Sequence, residues 1–132
     1  MKKLAYAAAM LFFAAAAVAE PNSAKVLNSA PENAVTVTDY YHQNVYDPSD
    51  NKIGEIKDVL IERDGRVAAL IVAVGGFLGA GEKDVAIPFS AIKATQKNNK
   101  WYLVMNATKD ELKAARGFKY DRTATKWVPD SM

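Results

Sequence analysis

Residues 67–74, VAALIVAV, form an uninterrupted apolar run that limits the possible folds more than any other stretch of the chain. The run is too short and too rich in valine and isoleucine for a helix, and β-branched side chains pack best on a pleated surface. A strand with one wet face alternates apolar and polar residues, so a strand with no alternation is one covered on both faces. Arg63-Asp64-Gly65-Arg66 stands just before it and is a hairpin signal, because Asp-Gly readily takes the positive φ angles of a tight reversal. Residues 52–62 then supply the partner strand. Ile53, Val59 and Ile61 share one parity there while Ile56 and Leu60 take the other, which requires a bulge near Gly54 or burial of both faces.

The same reasoning finds further short strands on either side. A first strand near 44–46 stops at the turn Asp47-Pro48-Ser49-Asp50-Asn51. Val85, Ile87 and Phe89 alternate along another, which Pro88 confines to an edge or a strand end. Residues 92–95 add a short strand, and Lys97-Asn98-Asn99-Lys100 marks a second tight hairpin. Beyond it Trp101, Leu103 and Met105 share one face, with Tyr102 and Val104 on the other. About six short strands with close turns predict a small closed or nearly closed barrel, which avoids exposed sheet edges. One helix is expected after Thr108-Lys109-Asp110-Glu111, a capping box with Thr108 and Glu111 as its reciprocal partners. Leu112, Ala115 and Phe118 would form its inner stripe and Gly117 its end.

The beginning of the chain reads differently. Met1, Lys2 and Lys3 are followed by an alanine-rich apolar run over 4–18, and Ala17 and Ala19 place small residues where a signal peptidase reads. That run is shorter than the roughly 20 residues a spanning helix needs, so 1–19 is expected to be a cleaved signal peptide and the protein periplasmic or secreted, not membrane-spanning once mature. Cleavage removes two of the 17 basic residues and leaves 15 against 15 acidic ones. The mature chain then has no net field to draw nucleic acid, and no nucleic-acid partner is expected. Residues 20–42, with Pro21 and Pro31 among asparagines and serines, read as a flexible lead-in.

Reactive chemistry is hard to assemble from what remains. There is no cysteine and one histidine, His42, so neither a thiol nucleophile nor a multi-histidine metal site is available. Ser49 and Ser90 lack any nucleophile-elbow motif. Asp58, Glu62, Asp64 and Asp84 match no loop that gathers oxygen ligands and read as solvated strand and turn positions. The glycines of 75–81 lead into a strand, whereas a phosphate cradle needs a helix N-terminus there. No catalytic residue, cofactor or metal is expected. Gly54, Gly65, Gly75, Gly76, Gly79 and Gly81 are assigned structural roles, and Phe77, Leu78, Phe89, Trp101 and Tyr102 are the candidate contacts for a partner or ligand.

Val45-Tyr46-Asp47, the stretch KIGEIKDVLI over 52–61, Gly75-Gly76-Phe77-Leu78-Gly79, Val85-Ala86-Ile87-Pro88 and Thr108-Lys109-Asp110-Glu111-Leu112 occur in that order. The ordered set resembles the PRC-barrel family, which covers the barrel of the photosynthetic reaction centre H subunit and the C-terminal domain of a ribosome maturation factor. The resemblance spans 43–120 and leaves 121–132 as a C-terminal tail. It implies a mainly β fold, a six-stranded barrel with one short C-terminal helix, used as a docking or regulatory module without catalytic residues. Asn51 stands where the family often has glycine, as a residue tolerant of the left-handed region, and Ala115-Arg116 where it often has alanine-proline. The signal peptide stands in place of the spanning helix or RNA-associated domain of those relatives, so their partners do not carry over. The expected function is a non-catalytic exported module for protein–protein interaction or assembly, self-association included, with its protein partner unidentified. The alternatives are a carrier of a small apolar ligand in a barrel mouth lined by Phe77, Leu78 and Phe89, and a membrane-associated accessory subunit like the H subunit.

Overall fold

A computed structural model describes residues 25–75 and 81–130; Ala17, Ala19, Gly76, Phe77, Leu78 and Gly79 lie outside them. The chain divides into two units, Met1–Ala34 and Val35–Met132. In the first, residues 25–34 run through bends and one turn, with Val26 and Leu27 exposed. The second holds every strand and helix found among the described residues. It begins with a 3-10 turn, Val37–Asp39, capped reciprocally by Thr36 and Asp39. Tyr40 follows and is buried in the core, so the ordered unit starts before the boundary at residue 43 drawn from the sequence.

Six strands make one sheet: β1 (Asn44–Tyr46), β2 (Lys52–Ile61), β3 (Val67–Val74), β4 (Lys83–Pro88), β5 (Ile92–Lys97) and β6 (Lys100–Met105). Their order is β4-β3-β2-β1-β6-β5. All neighbours are antiparallel except β1 and β6, whose parallel ladder consists of Val45 opposite Leu103 and Tyr46 opposite Val104. Pro88 ends β4, and Ile92 begins β5 after a 3-10 turn, Phe89–Ala91. Four residues reach at most ~14 Å, whereas a flat sheet of this order would hold β4 and β5 about 24 Å apart. The sheet must therefore curl. Its ladder does not close, since β4 and β5 share no register pair among the described residues, and the six expected strands form a rolled sheet with two ends.

Curling turns one face inward. Val45, Ile53, Ile56, Leu70, Val72, Val74, Val85, Ile87, Ile92 and Leu103 line it, with Tyr40 and Leu112 closing the core. Each such side chain contributes about 1.5–3 kcal/mol by leaving water. The parity change in β2 is resolved by bulges: Ile53 is skipped in the ladder to β1, and Lys57 in the ladder to β3. Gly54 sits beside the first, where a Cβ would meet Val72 Cγ1 at 2.5 Å and the Ala73 carbonyl oxygen at 2.9 Å, so only glycine lets β2 and β3 approach this closely.

The turns follow their residues. Asn98 and Asn99 both take positive φ, 54° and 66°, the two-residue reversal whose twist suits a hairpin. At the Asp-Gly turn only Gly65 does so, at 97°, and the loop has three residues, with the Glu62 amide donating to the Arg66 carbonyl. In the 47–51 turn the left-handed residue is Asp50, at φ 68°, and not Asn51. Asn51 instead donates its backbone and side-chain N–H to the Asp47 carboxylate at 2.9 and 3.1 Å. Gly75 and Gly81 have φ of 85° and 75° at the two described ends of the glycine-rich connection.

Helix α1 (Lys109–Ala114) opens with the capping box: Thr108 Oγ1 accepts from the Glu111 amide at 3.0 Å, and Glu111 accepts from the Thr108 amide at 2.7 Å. Leu112 is buried as its inner residue. Gly117 does not end it. Lys83 Nζ donates to the carbonyls of Lys113 and Ala115 at 2.6 and 2.8 Å, closing the helix one turn early, and Phe118 opens a strand.

That strand is β7 (Phe118–Asp121), which pairs with β8 (Lys126–Pro129) in a hairpin that begins at the expected helix residue Phe118 and takes in most of the expected C-terminal tail. It resolves the question posed by the apolar run. Ile71 is fully buried yet points away from Leu70 and Val72, and its cross-strand partner Asp58 accepts the Trp127 indole N–H at 2.7 Å. The hairpin is the cover of the outer face. Lys57 lies 5.9 Å from the Trp127 ring and 2.9 Å from Asp84, whose hydrogen bond holds the Lys57 ammonium above its usual pKa. Asp58 and Asp84 are thus parts of this packing and not the solvated positions expected of them. Glu62 and Asp64 do lie at an exposed turn, both paired with Arg66.

Candidate functional site

The two ends of the rolled sheet have different neighbours. Beside β4 lie β7 and the 113–117 segment, the latter joined to Lys83. β5 pairs with β6 alone among the described residues, and Lys93, Thr95, Gln96 and Lys97 are exposed. One end has the chain's own C-terminal segment beside it, and the other has no such neighbour joined to it among the described residues.

A hollow lies across β6 from the β5 edge and meets β5 at Lys97 and the Asn98 turn. β6 is six residues long, but only Leu103 and Val104 pair with β1, so Lys100, Trp101 and Tyr102 face an unfilled gap before β1 begins. The gap has a volume of about 440 Å³ and is walled by Gln43, Asn44 and Tyr46 on one side and Trp101 and Tyr102 on the other. A second hollow of about 400 Å³ shares Gln43, Lys100 and Trp101 with it and is lined further by Asp39 and Asn99.

Strand alternation sorts the rings. Leu103 is buried in the core, so half-buried Trp101 lies on that side and Tyr102 on the outer one. Tyr46 stacks on Tyr102 with centroids 4.7 Å apart and planes 14° from parallel. The Lys97 ammonium lies 4.5 Å from the Tyr102 centroid, and Asn44 Nδ2 donates to the Tyr46 hydroxyl at 3.3 Å. The Tyr102 hydroxyl donates to Asp50, and that bond pushes the phenol pKa up to about 12. Asp50 is also 3.9 Å from Lys97. Such a phenol keeps its proton at neutral pH and is suited to holding a surface together, not to accepting a proton from a substrate.

Of the five contact residues chosen from sequence, Trp101 and Tyr102 meet at this site. Phe89 does not: it packs against the core with its ring 5.3 Å from Tyr40, whose phenol burial raises in pKa. Phe77 and Leu78 are outside the described residues. Asp50 and Lys97 were missed, because the contact between Asp50 and Tyr102 joins a turn to a strand 52 residues away. His42 sits at φ 67°, 3.7 Å from Glu55, and no group of three or more His, Cys, Asp or Glu suited to a metal occurs among the described residues. No helix among them is long and apolar enough to cross a membrane.

A family model described as PRC-barrel domain covers residues 32–112, more than half of the chain, and ends just before the hairpin of β7 and β8. No curated protein matches the sequence.

Proposed function

The chain belongs to the PRC-barrel domain family, and from that premise we propose that it is a non-catalytic docking module, exported by residues 1–19, that binds a partner protein along β5 and the adjoining hollow. The observation that carries this reading is the asymmetry of the sheet: the β4 end is flanked by the chain's own C-terminal segment, while β5 ends the sheet with its backbone open. An edge strand beside aromatic side chains offers main-chain hydrogen bonds for affinity and ring contacts for choice of partner. The barrel expected of the family enters as the rolled sheet, whose unclosed side is the docking side.

The test is a photo-crosslinking residue placed at Gln96 in the full chain in intact cells, with position 66 at the β2–β3 turn as control. Adducts with one defined protein from 96 and none from 66 are expected. Equal adducts from both, or none from 96, would rule the docking surface out. Sequencing the N-terminus of the exported protein checks the export step, with Glu20 expected first.

A further inference from the structure

The open edge carries a sign. From Val85 to Lys109 the chain contains no acidic residue, while Lys93, Lys97 and Lys100 lie on β5 and β6. Ile92 and Leu103 point into the core, so alternation puts Lys93, Thr95 and Lys97 on the outer face, across the ladder from Val104, Tyr102 and Lys100. Against these three ammonium groups the neighbouring turn sets two carboxylates: Asp50, near Lys97, and Asp47, which is engaged by the N–H groups of Ser49 and Asn51.

The edge also has a definite hydrogen-bonding register. Asn98 and Asn99 form a two-residue loop, so the flanking Lys97 and Lys100 are a hydrogen-bonded pair, and so are Thr95 with Tyr102 and Lys93 with Val104. The N–H and C=O groups of Ala94 and Gln96 consequently point away from β6, toward the open side. An added strand would bond to those two residues, and its outward side chains would lie beside Lys93 and Lys97.

We propose that the occupant of this edge is an extended acidic segment of a partner protein, added as a further strand with carboxylates beside Lys93 and Lys97. The proposal rests on the docking reading above and names the chemistry of the partner. The same lysines act against a second copy of the chain, because two β5 strands side by side would set ammonium groups against one another.

The test uses the full exported chain with three labelled probes: a peptide of alternating Glu and Val, its Lys and Val counterpart, and a single-stranded oligonucleotide. The Glu peptide is expected to bind, with affinity falling as salt rises. Lys93→Glu with Lys97→Glu should weaken it by about tenfold and transfer binding to the Lys peptide. Gln96→Pro removes an outward donor and no ladder bond, so it should abolish binding while the melting temperature is kept. Amide exchange on binding should slow at Ala94 and Gln96 and stay unchanged at the ladder-bonded Lys93, Thr95 and Lys97. Equal binding of both peptides, binding of the oligonucleotide alone, or no transfer of preference in the charge-reversed variant would overturn the proposal. If in-cell adducts from position 96 persist and the Glu peptide does not compete with them, docking stands and the acidic occupant fails; if both are absent, both fail.

Discussion

Trp127 donates its indole N–H to the Asp58 carboxylate at 2.7 Å, joining the C-terminal hairpin to β2 across 69 residues of chain. Among the described residues the other Asp58 oxygen accepts only the Val59 amide, so the indole satisfies the second one. Trp127→Phe should cost about 1–3 kcal/mol in urea unfolding, the usual penalty for leaving a half-buried acceptor without its donor. Amide exchange should quicken in 118–129 and not in the buried part of β3. Unchanged exchange in the hairpin would show that the indole does not hold it down.

Two glycines should fail for different reasons. At Gly54 the obstacle is space, with the Val72 methyl and the Ala73 carbonyl both inside contact distance of a new Cβ. Gly54→Ala is expected to cost about 3 kcal/mol, the upper end of overpacking, since a backbone carbonyl cannot step aside. At Gly65 there is open space but a φ of +97°, so Gly65→Ala should cost about 1 kcal/mol through strain alone. Thermal denaturation of the two variants orders them, and the reverse order would contradict the close approach of β2 and β3.

These contrasts explain what could be read from residues alone. Val67–Val74 was legible because an eight-residue apolar run has one economical reading, and Asn98-Asn99 because few residues tolerate two positive φ angles in succession. The hairpin of β7 and β8 was not: Tyr120, Trp127 and Val128 are too sparse to show a period, and the hairpin is held by contacts with β2 and β4 far away in the chain. The apolar run did announce that a second cover existed without saying which segment supplies it. The open β5 edge was illegible for a different reason, since which strand ends a sheet depends on strand order, and order is set by pairings such as Val45 with Leu103 that leave no local mark.

Alkaline titration should single out Tyr102. Its pKa is raised from 10.0 to about 12, so the protonated phenol is the form the fold favours. Its contribution to stability is therefore fully present below pH 10 and is lost as pH rises toward 12. Ultraviolet difference titration should find the Tyr102 phenol late beside that of buried Tyr40, and Asp50→Ala should bring Tyr102 back toward 10 and leave Tyr40 raised. A Tyr102 phenol that stays late in that variant would assign its shift elsewhere.

Acid should act through Asp47. Hydrogen bonds from Asn51, and then from Ser49, hold its pKa below 3.8. The favoured form is the carboxylate, so its contribution is present above that value and lost as pH falls below it. Asp47→Asn, which keeps one acceptor oxygen, should flatten the acid limb of a stability profile, and an unchanged limb would clear this turn of any part in it.

Thr108→Ala removes one half of the helix cap and should cost about 1 kcal/mol, while Thr108→Ser should restore most of it. Chemical denaturation reads the difference. Because Leu112 is the only buried residue of the helix, a larger loss would mean that the cap also seats that side chain in the core.

The β1–β6 ladder, two residue pairs long, has a consequence for the order of assembly. It stitches together two ribbons that each need only near neighbours in the chain: the run of β1 to β4, and the hairpin of β5 and β6. Closing so long a loop for so short a seam is entropically worthwhile only after both ribbons exist. That seam is therefore expected to be the final stitch of folding and the first to part under strain, and the hollow between Asn44 and Trp101 takes shape only when the last join is made.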